Sequence, residues 1–83
     1  MNIYTEDQFI EGNSVKLYCN YTIFDENKIE TILWFYEYEP IQYQVLNIEL
    51  INKNKSIIIK KLNHLIHDGI YYCSIYLKSG IEL

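Results

Sequence analysis

Eighty-three residues with a formal net charge of −4 and a pI near 5.0 make one small acidic unit, with no room for a second hydrophobic core. Its seven lysines are scattered and arginine is absent, so the basic stripe that nucleic acid or an anionic membrane surface demands is missing. No stretch approaches the ~20 apolar residues of a membrane span, and Met1 to Glu11 lacks the basic start and apolar core of a secretory leader.

In chain order, Tyr4 to Ile10 reads as a first edge strand, closed by a turn at Glu11-Gly12-Asn13. Val15 to Tyr21 alternates, with Val15, Leu17, Cys19 and Tyr21 on one face and Lys16, Tyr18 and Asn20 on the other. That period of two predicts a strand with one buried side. Phe24 to Lys28 is polar and acidic, a loop. Thr31 to Tyr36 predicts the next strand, with Ile32, Trp34 and Tyr36 inward. Glu37-Tyr38-Glu39-Pro40 turns the chain, because proline has no N–H to give a ladder. Gln42 to Leu46 and Ile48 to Ile51 read as short strands, and Asn52-Lys53-Asn54-Lys55 as a polar turn. Ser56 to Leu62 follows as a strand with Ile57, Ile59 and Leu62 inward, and Asn63 to Asp68 crosses to the other sheet. Ile70 to Leu77 predicts a last long strand with Tyr71, Cys73 and Ile75 inward. Lys78-Ser79-Gly80 is a hairpin turn, and Ile81-Glu82-Leu83 begins a returning strand that is cut short. Helical periodicity fits no segment beyond about two turns.

Cys19, Trp34 fifteen residues on, and the run Asp68-Gly69-Ile70-Tyr71-Tyr72-Cys73 together resemble the immunoglobulin superfamily. The resemblance extends from about Gly12 to Leu83 and rests on Cys19, Trp34, Leu62, Gly69, Tyr71 and Cys73 in the family's order and spacing. It implies an all-β fold for residues 1–83: an immunoglobulin-like two-sheet β-sandwich with Greek-key connections, of a variable-like or intermediate type. It further implies a Cys19–Cys73 bridge between the sheets, Trp34 packed on that bridge, and a Tyr71 hydroxyl bonded back to the crossing loop. Such a bridge would close a loop worth about 4 kcal/mol in the chain-entropy account. It implies an oxidising compartment, so an extracellular protein, secreted or on the cell surface. One departure concerns His67, which stands where the family commonly has an aspartate paired with a basic residue; the acid, Asp68, comes one residue later. Fifteen Ile, nine Tyr, eight Asn and seven Lys, with no Ala or Arg, reflect A/T-rich codons; they point to a large DNA virus or an invertebrate, and suit a virus-encoded surface or secreted protein.

The function the resemblance implies is recognition of another protein. Alternation places Leu33 and Phe35 outward on one strand and Tyr72, Ser74 and Tyr76 outward on the other. Tyr38 or Tyr43 extends the same surface, and Lys78 stands at its end. A face rich in Tyr and Phe marks an interaction site. The expected partner is a protein ligand or receptor, with a second copy of the chain as one option. Neither nucleic acid nor a cofactor is called for, and membrane attachment would require an anchor outside this stretch. A decoy that intercepts a host cytokine or receptor, and a spacer within a larger ectodomain whose outer face a neighbour covers, are the alternatives. Asn20-Tyr21-Thr22 and Asn54-Lys55-Ser56 match the N-glycosylation acceptor pattern, making Asn20 and Asn54 candidate sites. His64, His67 and Asp68 superficially suggest metal ligands, but two histidines and one acid fall short of a four-ligand set and read better as surface polarity. Catalysis is not expected: three glycines are spread along the chain, both cysteines are committed to the bridge, and Glu37 and Glu39 look like solvated charges.

Overall fold

The computed structural model describes residues 2–22, 25–41, 44 and 46–83. Among the described residues seven strands run in chain order: β1 (Asn2–Tyr4), β2 (Val15–Asn20), β3 (Ile29–Tyr36), β4 (Glu39–Pro40), β5 (Ile48–Ile51), β6 (Ser56–Ile59) and β7 (Tyr71–Leu77). A 3₁₀ turn at Glu26–Lys28 precedes β3, and α1 (His64–His67), a single helical turn, precedes β7. The strands form two antiparallel sheets, ordered β1-β2-β6-β5 and β4-β3-β7. Consecutive strands change sheet between β2 and β3, β4 and β5, and β6 and β7, which gives the Greek-key course of an immunoglobulin-like sandwich. Past the turn at 78–80 the chain starts back along β7: Leu77 N donates to Ile81 O (2.8 Å) and Leu83 N to Ile75 O (2.7 Å).

The expected alternation sets the core. Val15, Leu17 and Cys19 of β2 and Ile57 and Ile59 of β6 are buried on one sheet. Ile32 and Trp34 of β3 and Cys73 and Ile75 of β7 face them from the other, and Leu62 closes the base. Tyr21, Tyr36 and Tyr71 pack against this cluster, half-buried. The Cys19–Cys73 disulfide joins β2 to β7 with the Cα atoms 6.0 Å apart. Trp34 lies opposite Cys73 in the β3–β7 register, and is only 1% exposed. Burying an indole N–H without a partner would be costly. Here Nε1 donates to the Asn54 carbonyl at 2.8 Å, which ties the core to the turn at 52–55.

The base of the sandwich is organised around the crossing turn. Tyr71 Oη donates to His67 O at 2.7 Å, the backward bond its position implied. Tyr36 Oη lies 2.8 and 2.7 Å from the carbonyls of Ile66 and Asp68, so a second phenol anchors the same turn. Burial, with help from nearby Glu37 and Asp68, raises the Tyr36 phenol above its ordinary value; burial raises that of Tyr71 further. Gly69 is needed because these groups crowd it. A Cβ there would strike the Glu37 carboxylate and come within 2.8 Å of the Tyr36 ring.

Several expectations are corrected. The first strand is Asn2–Tyr4 rather than Tyr4 to Ile10. Residues 5–10 leave the ladder because Thr5 Oγ1 donates to Lys16 O and Asp7 Oδ2 accepts from Lys16 N, side chains replacing backbone partners. Pro40 sits inside β4; among the described residues β4 is an edge strand, where proline's missing N–H is tolerated. The β6 strand stops at Ile59, and Leu62 reaches the core from beyond it. The expected strand at 42–46 falls mainly outside the described residues; Gln44 and Leu46 themselves are in bends. His67 is buried, 4% exposed, and not surface polarity. Its Nδ1 accepts from Asn63 N (2.9 Å) and its Nε2 lies 2.6 Å from Leu46 O, so the ring is a neutral Nε2–H tautomer stitching the crossing turn to the approach to β5.

Candidate protein-binding face

The outward side of the β4-β3-β7 sheet follows from the register. Trp34 and Cys73 point inward as partners, so the adjacent pairs, Phe35 with Tyr72 and Leu33 with Ser74, point outward. A bulge between Ile29 and Thr31 leaves Glu30 unpaired and keeps Thr31 outward opposite Tyr76. Pro40 of β4 lies beside Phe35.

These side chains form a continuous strip. The Phe35 and Tyr72 rings stack with centroids 4.6 Å apart and planes 9° from parallel. Tyr38 tilts onto Tyr72 at 6.1 Å, and is itself 69% exposed. Tyr38 reaches that position from a two-residue hairpin turn in which both Glu37 (φ 51) and Tyr38 (φ 69) are left-handed. This primed geometry matches the twist of β3 and β4, although neither residue is the Asn or Gly that usually accepts it. An exposed aromatic held at positive φ is a local cost. Leu33, Phe35, Tyr72 and Tyr76 are half-buried, and Ser74 between them is buried. At the other end Glu82 lies across from Tyr76 in a backbone bridge, its carboxylate raises the Tyr76 phenol above its ordinary value, and Lys78 is exposed. The structure therefore brings together Leu33, Phe35, Tyr72 and Tyr76, with Tyr38 as the exposed member and Lys78 at the margin. Tyr43 lies outside the described residues.

The two glycosylation candidates differ. Asn20 ends β2 exposed, with Thr22 exposed beside it. Asn54 is half-buried in a left-handed turn, its carbonyl is taken by Trp34, and Ser56 is buried. The carboxylate of Glu37, expected to be simply solvated, accepts from Ile70 N at 3.1 Å and braces the hairpin against the start of β7. No group of three or more His, Cys, Asp or Glu side chains placed to hold a metal occurs among the described residues. An apolar cleft of about 280 Å³ at the base is walled by residues including Ile3, Phe9, Leu17, Leu62 and Tyr71. The His67 nitrogens at its edge already have partners.

Sequence reasoning found the strip by alternation but missed two things beneath it. Tyr36 reads as plain core, yet its hydroxyl holds the crossing turn; a phenol at the end of an inward alternation, next to a charged hairpin, is the available signal. His67 gave none, because its donor and acceptor come from residues 4 and 21 positions away.

No family model, curated protein or solved structure matches this chain. What the structure defines is therefore a class, a disulfide-bridged all-β sandwich. No helix among the described residues is long and apolar enough to cross a membrane.

Proposed function

We propose that this chain is an immunoglobulin-superfamily recognition domain of an extracellular protein, and that it binds another protein through the outer face of β4-β3-β7. The observation that carries the reading is the stacked Phe35–Tyr72 pair with Tyr38 standing exposed against it. Large, rigid aromatic side chains contribute contact area at little entropic cost and dominate interface centres. Tyr38 is held there by a left-handed hairpin that leaves its ring exposed although positive φ is locally costly for an aromatic residue. The disulfide supports an oxidising, extracellular setting, and exposed Asn20 is the glycan site that such a setting would use. The Ile-, Asn-, Tyr- and Lys-rich composition supports a virus-encoded setting, in which the same face would intercept a host cytokine or receptor.

The test is a binding screen of the disulfide-intact protein against arrayed secreted and cell-surface ectodomains, itself included, with Phe35→Asp and Tyr76→Asp alongside. Both positions are half-buried on the outer face, so both variants are expected to keep the wild-type circular dichroism while losing the partner by at least tenfold, as interface anchors do. A partner retained by both folded variants would remove this face, and the spacer reading would then stand.

A further inference from the structure

The charges are unevenly divided between the two sheets. Residues 29–41 and 71–83, which build β3, β4, β7 and their turns, carry four carboxylates (Glu30, Glu37, Glu39 and Glu82) against one ammonium, Lys78. Of the chain's net charge of −4, −3 therefore falls on the sheet that holds the aromatic strip. The remainder of the chain is close to neutral, and six of the seven lysines lie there. The acids also bracket the strip. Glu37 and Glu39 flank Tyr38 on the hairpin, and Glu82 pairs with Tyr76 at the far end. Glu39 and Glu82 are exposed.

We infer that the partner docked on this face presents a basic surface, with an arginine stacked on the exposed Tyr38 ring beside the Phe35–Tyr72 pair and further basic groups meeting Glu39 and Glu82. The inference rests on the docking role proposed above and specifies the chemistry of what docks. Arginine fits better than lysine. Its planar, weakly hydrated guanidinium stacks on aromatic rings while its N–H groups reach carboxylates at the margin. A flexible, strongly hydrated ammonium gains less from the rings. The same charge distribution disfavours the competing occupant, a second copy of this chain bound face to face, because two surfaces of net −3 would be pressed together.

The test follows backbone amide resonances of the ¹⁵N-labelled, disulfide-intact protein during titration with end-blocked hexa-arginine, hexa-lysine and hexa-glutamate peptides at low and physiological salt. Expected are shifts concentrated at residues 33–39, 72–76 and 82, hexa-arginine binding more tightly than hexa-lysine, and no response to hexa-glutamate. Glu39→Gln combined with Glu82→Gln should weaken hexa-arginine binding about fivefold, the scale of two exposed charge contacts. Glu49→Gln, on β5 of the other sheet, should leave it unchanged. Shifts spread equally to Asp7 and Glu49, or binding indifferent to the double variant, would overturn the inference. So would a dimer in sedimentation that Phe35→Asp dissociates. The ectodomain screen separates the two claims: a partner lost in Phe35→Asp but unaffected by molar salt leaves the docking face standing and removes the basic partner. A partner retained in Phe35→Asp removes both.

Discussion

His64 stands between two carboxylates contributed by different segments. Its Nδ1 lies 2.9 Å from Asp68 Oδ1 and its Nε2 3.9 Å from Glu11 Oε1, and Glu11 also accepts from the His64 backbone N–H. The Asp68 hydrogen bond, chiefly, and then the charges of Asp68 and Glu11 lift its pKa above the ordinary 6.5. A histidine raised on folding adds stability that is complete below its unfolded value and is lost as the pH climbs through the folded one. The melting temperature should therefore fall as pH rises from 6.5 through the raised folded value, and His64→Gln should flatten that slope. Parallel pH profiles for the two proteins would show that the exposed cluster is too well solvated to matter. Its neighbour His67 illustrates the opposite case. Identical in type and three residues on, it is buried and makes two fixed hydrogen bonds. The residue types in Asn63-His64-Leu65-Ile66-His67 do not tell the two rings apart; their partners do, Asn63 N and Leu46 O for His67, Asp68 and Glu11 for His64.

Turns show where a local pattern determines an element and where it does not. The Asn52-Lys53-Asn54-Lys55 segment reads as a polar turn, and it is one. The structure adds that Asn52, Lys53 and Asn54 are all left-handed, with φ of 53, 55 and 67°. Asparagine tolerates that region because its short side chain bonds locally; lysine pays the Cβ clash in full. Lys53 is exposed, so Lys53→Gly relieves the clash without removing packing. It should raise stability by about 1 kcal/mol, read as a higher urea midpoint at unchanged slope. A lower midpoint would mean that the unfolded-chain entropy gained by glycine outweighs the relief. The hairpin at Glu37-Tyr38 was legible as a turn through Pro40, but not as a primed turn displaying an aromatic. That geometry comes from pairing Phe35 with Pro40 and Tyr36 with Glu39. At the N-terminus the turn at Glu11-Gly12-Asn13 suggests an edge strand over Tyr4 to Ile10, whereas the ladder of β2 accepts only Asn2–Tyr4 before side-chain caps take over.

For the whole molecule the decisive magnitude is the disulfide. A domain of this length has a total stability of about 4–12 kcal/mol at typical values per residue. A crosslink spanning 54 residues contributes about 4 kcal/mol in the chain-entropy account. The bridge is thus comparable with the entire margin. Full reduction should lower the melting temperature by roughly 15–30 °C, given the steep dependence expected for a domain of this size. A reduced protein melting within a few degrees of the oxidised one would mean that Trp34 and the surrounding isoleucines hold the sandwich unaided. The strand alternation, the Cys19, Trp34, Tyr71 and Cys73 positions and the excess of acids were all decided by the sequence itself, because each depends on residue type and on a period of two along the chain. The pairing of Phe35 with Tyr72, the burial of His67, the second phenol anchor at Tyr36 and the gathering of negative charge around the aromatic strip were decided only by the tertiary structure. They depend on which segments become neighbours, and contacts across 20 to 40 residues leave no local periodicity to read.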